Sequence, residues 1–232
     1  YCVVPFARGL EKNRPLSDLL EEVRELIGHG CKEVTLLGQT VNSYRAPDPE
    51  LFSTHNPYKD HFAALLWEIN QFPEISRLHF TAPHPLHMSD EVIDAMTLSA
   101  HVNFIHLPVQ SGDDDVLRRM NRRYTSAQFV DVVDRLRKKC LNIAIGTDII
   151  VGFSGESEEA FEKTVELYER IRFDIAYIGQ YSVRSGTAAW RAFKDDVSQD
   201  EKKRRWNVIQ QMQKRIVLEK NRVFVGQTVS VL

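Results

Sequence analysis

The chain has 232 residues, 43% of them hydrophobic and 27% charged, which excludes a disordered or low-complexity protein and allows one large domain, or one domain with part of another. A formal net charge of −2 excludes an overall basic field that would draw in nucleic acid, so any such contact must be local. No apolar run approaches the ~20 residues that cross a bilayer, and three widely spaced cysteines, Cys2, Cys31 and Cys140, fit a reducing, cytoplasmic setting better than a disulfide framework.

The start, Tyr1-Cys2-Val3-Val4-Pro5, has neither the basic segment nor the length of a secretory signal, and it lacks an initiator methionine. It predicts a chain that begins inside a longer protein. Leu19, Leu20, Val23, Leu26 and Ile27 follow helical spacing, with Ser17 as N-cap and Gly28 and Gly30 as the stop. Glu33-Val34-Thr35-Leu36-Leu37 reads as a buried strand ending at Gly38. Residues 42–60 hold three prolines and little periodicity, and read as a long loop. Phe62, Leu65, Leu66 and Ile69 mark the next helix, ahead of a strand at Leu78-His79-Phe80.

Ser89 caps a helix through Ala95, and Phe104 to Leu107 follows as a strand. Thr125 and Gln128 form a capping box before Phe129, Val132, Val133 and Leu136, and a strand runs from Ile143 to Val151. Phe161, Val165, Tyr168 and Ile171 mark a helix, Ile175 to Ile178 a strand. Ser198 with Glu201 opens a last helix reaching about Arg222. Five strands alternating with helices, each apolar on both faces, predict a parallel α/β architecture. A barrel, a partial barrel and an open doubly wound sheet share this rhythm, and all place ligands at the C-terminal strand ends.

Those strand ends are polar and marked by glycine. They are Gly38 to Tyr44, Thr81 to Pro85, Pro108 to Gly112, Thr147-Asp148 with Gly152 to Glu156, and Tyr181 to Thr187. Each alone reads as a turn, and Glu156 alone as the acidic start of a helix. Five on one rim predict a ligand site built from neutral hydrogen-bonding groups. His84, His87, His106 and Asp148 raise a barrel metallohydrolase as an alternative, but no His-x-His or His-Glu-x-x-His spacing accompanies them, and His84 before Pro85 reads as a loop-shaping residue. Cys2, Cys31 and Cys140 each read, on their own, as small hydrophobes.

Taken together, these strings resemble the methylthiotransferase family of radical S-adenosylmethionine (SAM) enzymes, in order and along the whole chain. The residues that carry the resemblance are Tyr1 to Gly9, Ser17 to Gly30, Leu36 to Gln39, His106 to Gly112, Met120 to Tyr124 and Thr147 to Glu156. Tyr1-Cys2 is similar to the end of the family's Cys-x-x-x-Cys-x-aromatic-Cys loop. The resemblance implies a partial (β/α)6 TIM-like barrel, lacking its first strand and most of the cluster loop. It also implies a [4Fe–4S] cluster bound by three thiolates, Cys2 among them, with SAM chelating the open iron and cleaved to methionine and a 5′-deoxyadenosyl radical. It points to Tyr1, Gln39, Gln110, Ser111 and Asp148 as SAM contacts and singles out no catalytic side chain. Ser154, and Ser185 with Gly186, depart from the family's usual prolines.

Leu37 to Tyr44 is most similar to the branch that adds a methylthio group to C2 of an N6-isopentenylated adenosine beside the tRNA anticodon. The alternative branch acts on a ribosomal-protein aspartate. The expected partners are tRNA and a flavodoxin-type or similar electron donor, with a second [4Fe–4S] cluster in an N-terminal domain ahead of this sequence. The expected protein is monomeric, cytoplasmic and not membrane-bound. The expected domains are a radical SAM core over residues 1–222 and the start of a TRAM-like RNA-binding domain over 223–232. With one cysteine at a ligand position, this stretch alone is expected to be inactive. Residues 200–222 hold eight Lys/Arg against three Asp/Glu, which raises a non-catalytic RNA-binding alternative; the simpler reading is the solvated face of a helix.

Overall fold

A computed structural model describes residues 1–229, so the last three residues of the TRAM-like start expected over 223–232 lie outside the described residues. In chain order the elements are α1 (Val4–Arg8), α2 (Leu16–Gly28), β1 (Glu33–Leu36), α3 (His61–Asn70), β2 (Arg77–Phe80), α4 (Asp90–Ala95) and β3 (Phe104–His106). Then follow α5 (Asp114–Arg119), α6 (Ser126–Lys139), β4 (Ala144–Val151), α7 (Glu158–Ile171), β5 (Ile175–Gln180), α8 (Ala188–Ala192) and α9 (Gln199–Asn221). The five strands and the long helices stand where periodicity places them. The short helices α1, α5 and α8 span too few residues to show a period. β1 pairs with β2 in parallel, Val34 opposite Leu78, and β4 pairs with β5 in parallel, Asp148 opposite Tyr177.

The chain divides into two compact units: Val3–Pro108 with Gln128–Ala144, and Tyr1–Cys2 with Val109–Ala127 and Ile145–Leu232. In the first, Phe62, Leu66, Ile69, Leu78 and Phe80 are buried, with Phe62 edge-on to Phe80 at 5.1 Å. Burial of each such side chain contributes about 1.5–3 kcal/mol. The expected Ser17 cap is displaced: Pro15 holds the N-cap position and Ser17 lies inside the first turn of α2. Asp48 caps the helix from outside, accepting the Leu16 N–H at 2.6 Å, the Ser17 N–H at 3.0 Å and the Ser17 hydroxyl at 2.9 Å. A carboxylate that distant in sequence leaves no local signature. Asp60 and Ser89 cap α3 and α4 from their own chain position.

In the second unit, α9 covers β5, donating the Trp206 indole N–H to the Ile178 carbonyl at 2.8 Å and burying Ile209 and Ile216. β5 is not apolar on both faces as expected, since Ile175 and Tyr177 are exposed. Glu156 does not begin a helix either. Ser157 caps α7, while Glu156 is buried, accepting the Gly152 N–H at 2.6 Å and pairing with Arg205 at 2.8 Å. Burial nevertheless holds its carboxyl above the usual range.

One histidine couples the first unit to pH. His101 donates Nδ1–H to the Val102 carbonyl at 2.7 Å, and its Nε2 is buried without a partner among the described residues. Burial pushes its pKa from 6.5 down to about 4. The unfolded chain therefore takes up a proton that the folded chain refuses. Stability is full above about pH 6.5 and falls as the pH drops towards 4, by on the order of 1–3 kcal/mol. Urea denaturation between pH 7 and 4.5 is expected to show this slope, and His101→Gln to flatten it.

Candidate functional site

The site is organised by a turn after β3. Gln110 has φ +72°, the left-handed region that a non-glycine residue enters at a cost. Its backbone is held on both sides by β4: its N–H donates to the Asp148 carbonyl at 2.8 Å, and its carbonyl accepts the Ile150 N–H at 2.9 Å. The preceding residue is held by side chains. The Val109 N–H donates to Thr147 Oγ1 at 3.1 Å, and the buried Tyr124 hydroxyl donates to the Val109 carbonyl at 3.0 Å. The turn aims the Gln110 amide at Tyr1, whose hydroxyl donates to Oε1 at 2.9 Å.

Arg122 meets the same hydroxyl from another direction. α5 ends in a Schellman motif: Asn121, left-handed at φ +58°, donates its N–H to the Arg118 carbonyl, and Arg122 donates to that of Leu117. This directs the Arg122 guanidinium over the Tyr1 ring, 5.5 Å from its centroid, with Nη2 donating to the Tyr1 oxygen at 2.5 Å. Arg122 Nε is buried without a partner among the described residues. Tyr1 packs edge-on against Phe153 at 6.1 Å, and burial raises its phenol pKa although Arg122 opposes the shift.

Tyr1, Gln110, Arg122 and Asp148 line one hollow of about 610 Å³, within the range that holds a small-molecule ligand. Its remaining polar rim is Tyr177 and Gln210, and Ile149, Ile150 and Ile178 add apolar lining. Of the residues expected to contact a ligand, Tyr1, Gln110 and Asp148 thus come together. Ser111 is not among the lining residues. It is fully buried, its hydroxyl accepting the Asp113 N–H at 3.2 Å and lying 3.3 Å from Thr164 Oγ1. Gly112 follows because a side chain there would overlap the Lys163 carbonyl. Gln39 belongs to the other unit, where it borders a second hollow of about 680 Å³.

Arg122, Tyr177 and Gln210 were not singled out in the sequence. Arg122 lies in the Met120 to Tyr124 string, and the left-handed Asn121 beside it is the one local signal that could have found it. Cys2 is exposed beside Tyr1, whereas Cys31 and Cys140 belong to the other unit, Cys140 buried against the Ile93 carbonyl at 3.8 Å. Among the described residues one cysteine, not three, lies at this site, which by itself does not complete a three-cysteine cluster site. His84 shapes its loop, Nδ1 accepting the Leu86 N–H at 3.3 Å. Among the described residues no three His, Cys, Asp or Glu side chains gather to hold a metal ion.

Residues 1–168 match the sequence profile of the Radical SAM superfamily. Over its whole length the chain is 44% identical to the tRNA-2-methylthio-N(6)-dimethylallyladenosine synthase of Syntrophus aciditrophicus, covering 49% of that protein. It is 43% identical to the synthase of the same name from Acetivibrio thermocellus, covering 47%, and 41% identical to that of Thermotoga petrophila, covering 51%. The chain spans about half the length of these relatives. Among solved structures, its fold is like that of Escherichia coli coproporphyrinogen III oxidase, a radical SAM enzyme, with TM-score 0.56, 18% identity, and 91% of this chain and 46% of that one covered. It is also like methylornithine synthase, with TM-score 0.54, 14% identity, and 92% and 57% covered.

Because Thr147 and Tyr124 satisfy both buried backbone groups of Val109, removing either leaves one unmade. Thr147→Val and Tyr124→Phe, nearly equal in shape to the originals, are each expected to cost about 1–3 kcal/mol by urea denaturation.

Proposed function

The chain belongs to the radical SAM superfamily, and we propose that it is the catalytic core of a tRNA methylthiotransferase, acting at C2 of an N6-isopentenylated adenosine beside the anticodon. Superfamily membership implies a [4Fe–4S] cluster and SAM, and the fold is the partial TIM-like barrel class of these enzymes. The observation that carries the reading is the hollow lined by Tyr1, Gln110, Arg122 and Asp148. The names of the relatives favour tRNA over a ribosomal-protein aspartate.

SAM carries a carboxylate, an amine, a sulfonium and a ribose, and this chain's residues answer to them. The Arg122 guanidinium, on the wall of the hollow, suits the carboxylate as a charge-assisted hydrogen-bond donor. Asp148 accepts from ribose hydroxyls. Gln110, steadied by Tyr1, donates its amide N–H to a neighbouring oxygen. Ile149, Ile150 and Ile178 exclude water from the apolar side. When bound, cluster and SAM together supply the reductive cleavage that starts the reaction. Cys2 would provide one ligand of the cluster.

The proposal extends to a second [4Fe–4S] cluster outside this sequence, a flavodoxin-type or similar electron donor, a monomeric state, a cytoplasmic location, and a TRAM-like domain beginning in 223–232. No helix of the described residues is long and apolar enough to cross a membrane.

In the full-length protein, Arg122→Gln is expected to weaken SAM binding about 10- to 150-fold, the cost of one charged hydrogen bond. Equilibrium dialysis under anaerobic conditions measures it, and an unchanged affinity would take the hollow out of the reading. Cys2→Ala is expected to lower iron and sulfide content and abolish 5′-deoxyadenosine formation, whereas Cys140→Ala leaves both intact.

A further inference from the structure

Beyond β5, residues 182–194 carry three cations, Arg184, Arg191 and Lys194, and no acid. Thr187 anchors this strap: fully buried, it donates its hydroxyl to the Arg184 carbonyl at 2.8 Å and accepts the Trp190 N–H at 3.2 Å. Ala189 and Phe193 turn inward, Phe193 edge-on to Phe153 at 6.0 Å. The opposite side of α8 is left outside, so Arg184, Trp190, Arg191 and Lys194 are exposed, Trp190 at 49%. None of the three cations has a carboxylate within ion-pair distance among the described residues. The acids that follow are committed elsewhere, Asp195 to Lys202 at 2.7 Å and Asp196 to the Gly155 N–H at 2.6 Å.

The richer basic run on α9 is different. Lys202 and Arg205 are buried in ion pairs with Asp195 and Glu156, Arg204 is bridged to Glu158 and Glu201, Arg215 to Glu169, and Lys220 to Asp174. Those charges are spent within the protein.

We propose that the strap over residues 182–194 is a contact for single-stranded RNA: Arg184, Arg191 and Lys194 take backbone phosphates and the Trp190 indole stacks on an unpaired base. Cations without acidic partners beside an exposed indole suit a ligand that offers both negative charge and accessible π faces. A single strand offers both, whereas a duplex hides its bases. The choice of RNA over DNA rests on the tRNA reading above.

The test titrates the full chain with an RNA hairpin containing an unpaired loop, and with a fully paired duplex of the same stem, at several salt concentrations. The hairpin is expected to quench tryptophan fluorescence, and Trp190→Phe to remove most of that quench. Trp190→Ala should weaken hairpin binding on the order of 10-fold while leaving duplex binding nearly unchanged. The combined Arg184→Gln, Arg191→Gln and Lys194→Gln variant should flatten the slope of log affinity against log salt by about 2, from ~0.7 per neutralised phosphate. Lys203→Gln with Lys214→Gln, exposed cations on α9, should leave the slope near that of the parent. If the strap variants keep the parent's affinity, slope and quench, the strap proposal fails while the tRNA reading stands. If the parent chain binds no RNA, the strap proposal fails.

Discussion

The site depends on a left-handed residue that its neighbours must hold in place. Gln110 gains nothing locally from φ +72°; the conformation persists because β4 supplies both of its backbone partners, and Thr147 and Tyr124 supply those of Val109. These groups are buried, so loosening one leaves a polar atom without water or partner. From that turn the order of dependence runs outward. The Gln110 amide fixes the Tyr1 hydroxyl, and the Tyr1 hydroxyl and ring fix one edge of the Arg122 guanidinium. The guanidinium so held lines the hollow together with Asp148.

The glycine-marked segment after β4 shows how a sequence that looks like a ligand loop can be committed to the scaffold. Gly152, at φ +72°, leaves no room for a Cβ because the buried Lys202 stem lies against it. Its N–H is taken by Glu156, and Glu156 by Arg205. Lys202 in turn donates to the Tyr181 carbonyl and to Asp195. Two cations from α9 thus fasten the loop between β4 and α7, at the desolvation cost of buried charge that hydrogen bonds offset. Phe153 inside that loop is the surface on which Tyr1, Tyr181 and Phe193 pack. The loop carries this aromatic packing, and its Glu156 carboxylate is spent on Gly152 and Arg205.

Charge in this chain is informative only after pairing is known. Eight cations against three acids over 200–222 look like a polyanion site, yet most find a carboxylate contributed by another element. Three cations over 182–194 are fewer but unmatched. An electrostatic surface is what remains after internal neutralisation, and composition does not report that remainder.

Alternating hydrophobic periodicity by itself determined the five strands, the long helices and the parallel α/β class, because those signals lie within a few residues of one another. Ser89, Ser157 and Ser198 capped as local pattern demands. The family resemblance lay in contiguous strings and marked Tyr1, Gln110 and Asp148, each beside a strand end or the cysteine it accompanies. Tertiary structure alone decided the rest. Asp48 took the cap that Ser17 was expected to provide, Ser111 turned to Thr164, Gln39 fell in the other unit, and β5 kept Tyr177 exposed at the hollow. Arg122 joined the site through a partner 121 residues away. Periodicity and propensity reach about one helical turn along the chain, whereas these assignments are set by side chains that only folding brings within hydrogen-bond distance.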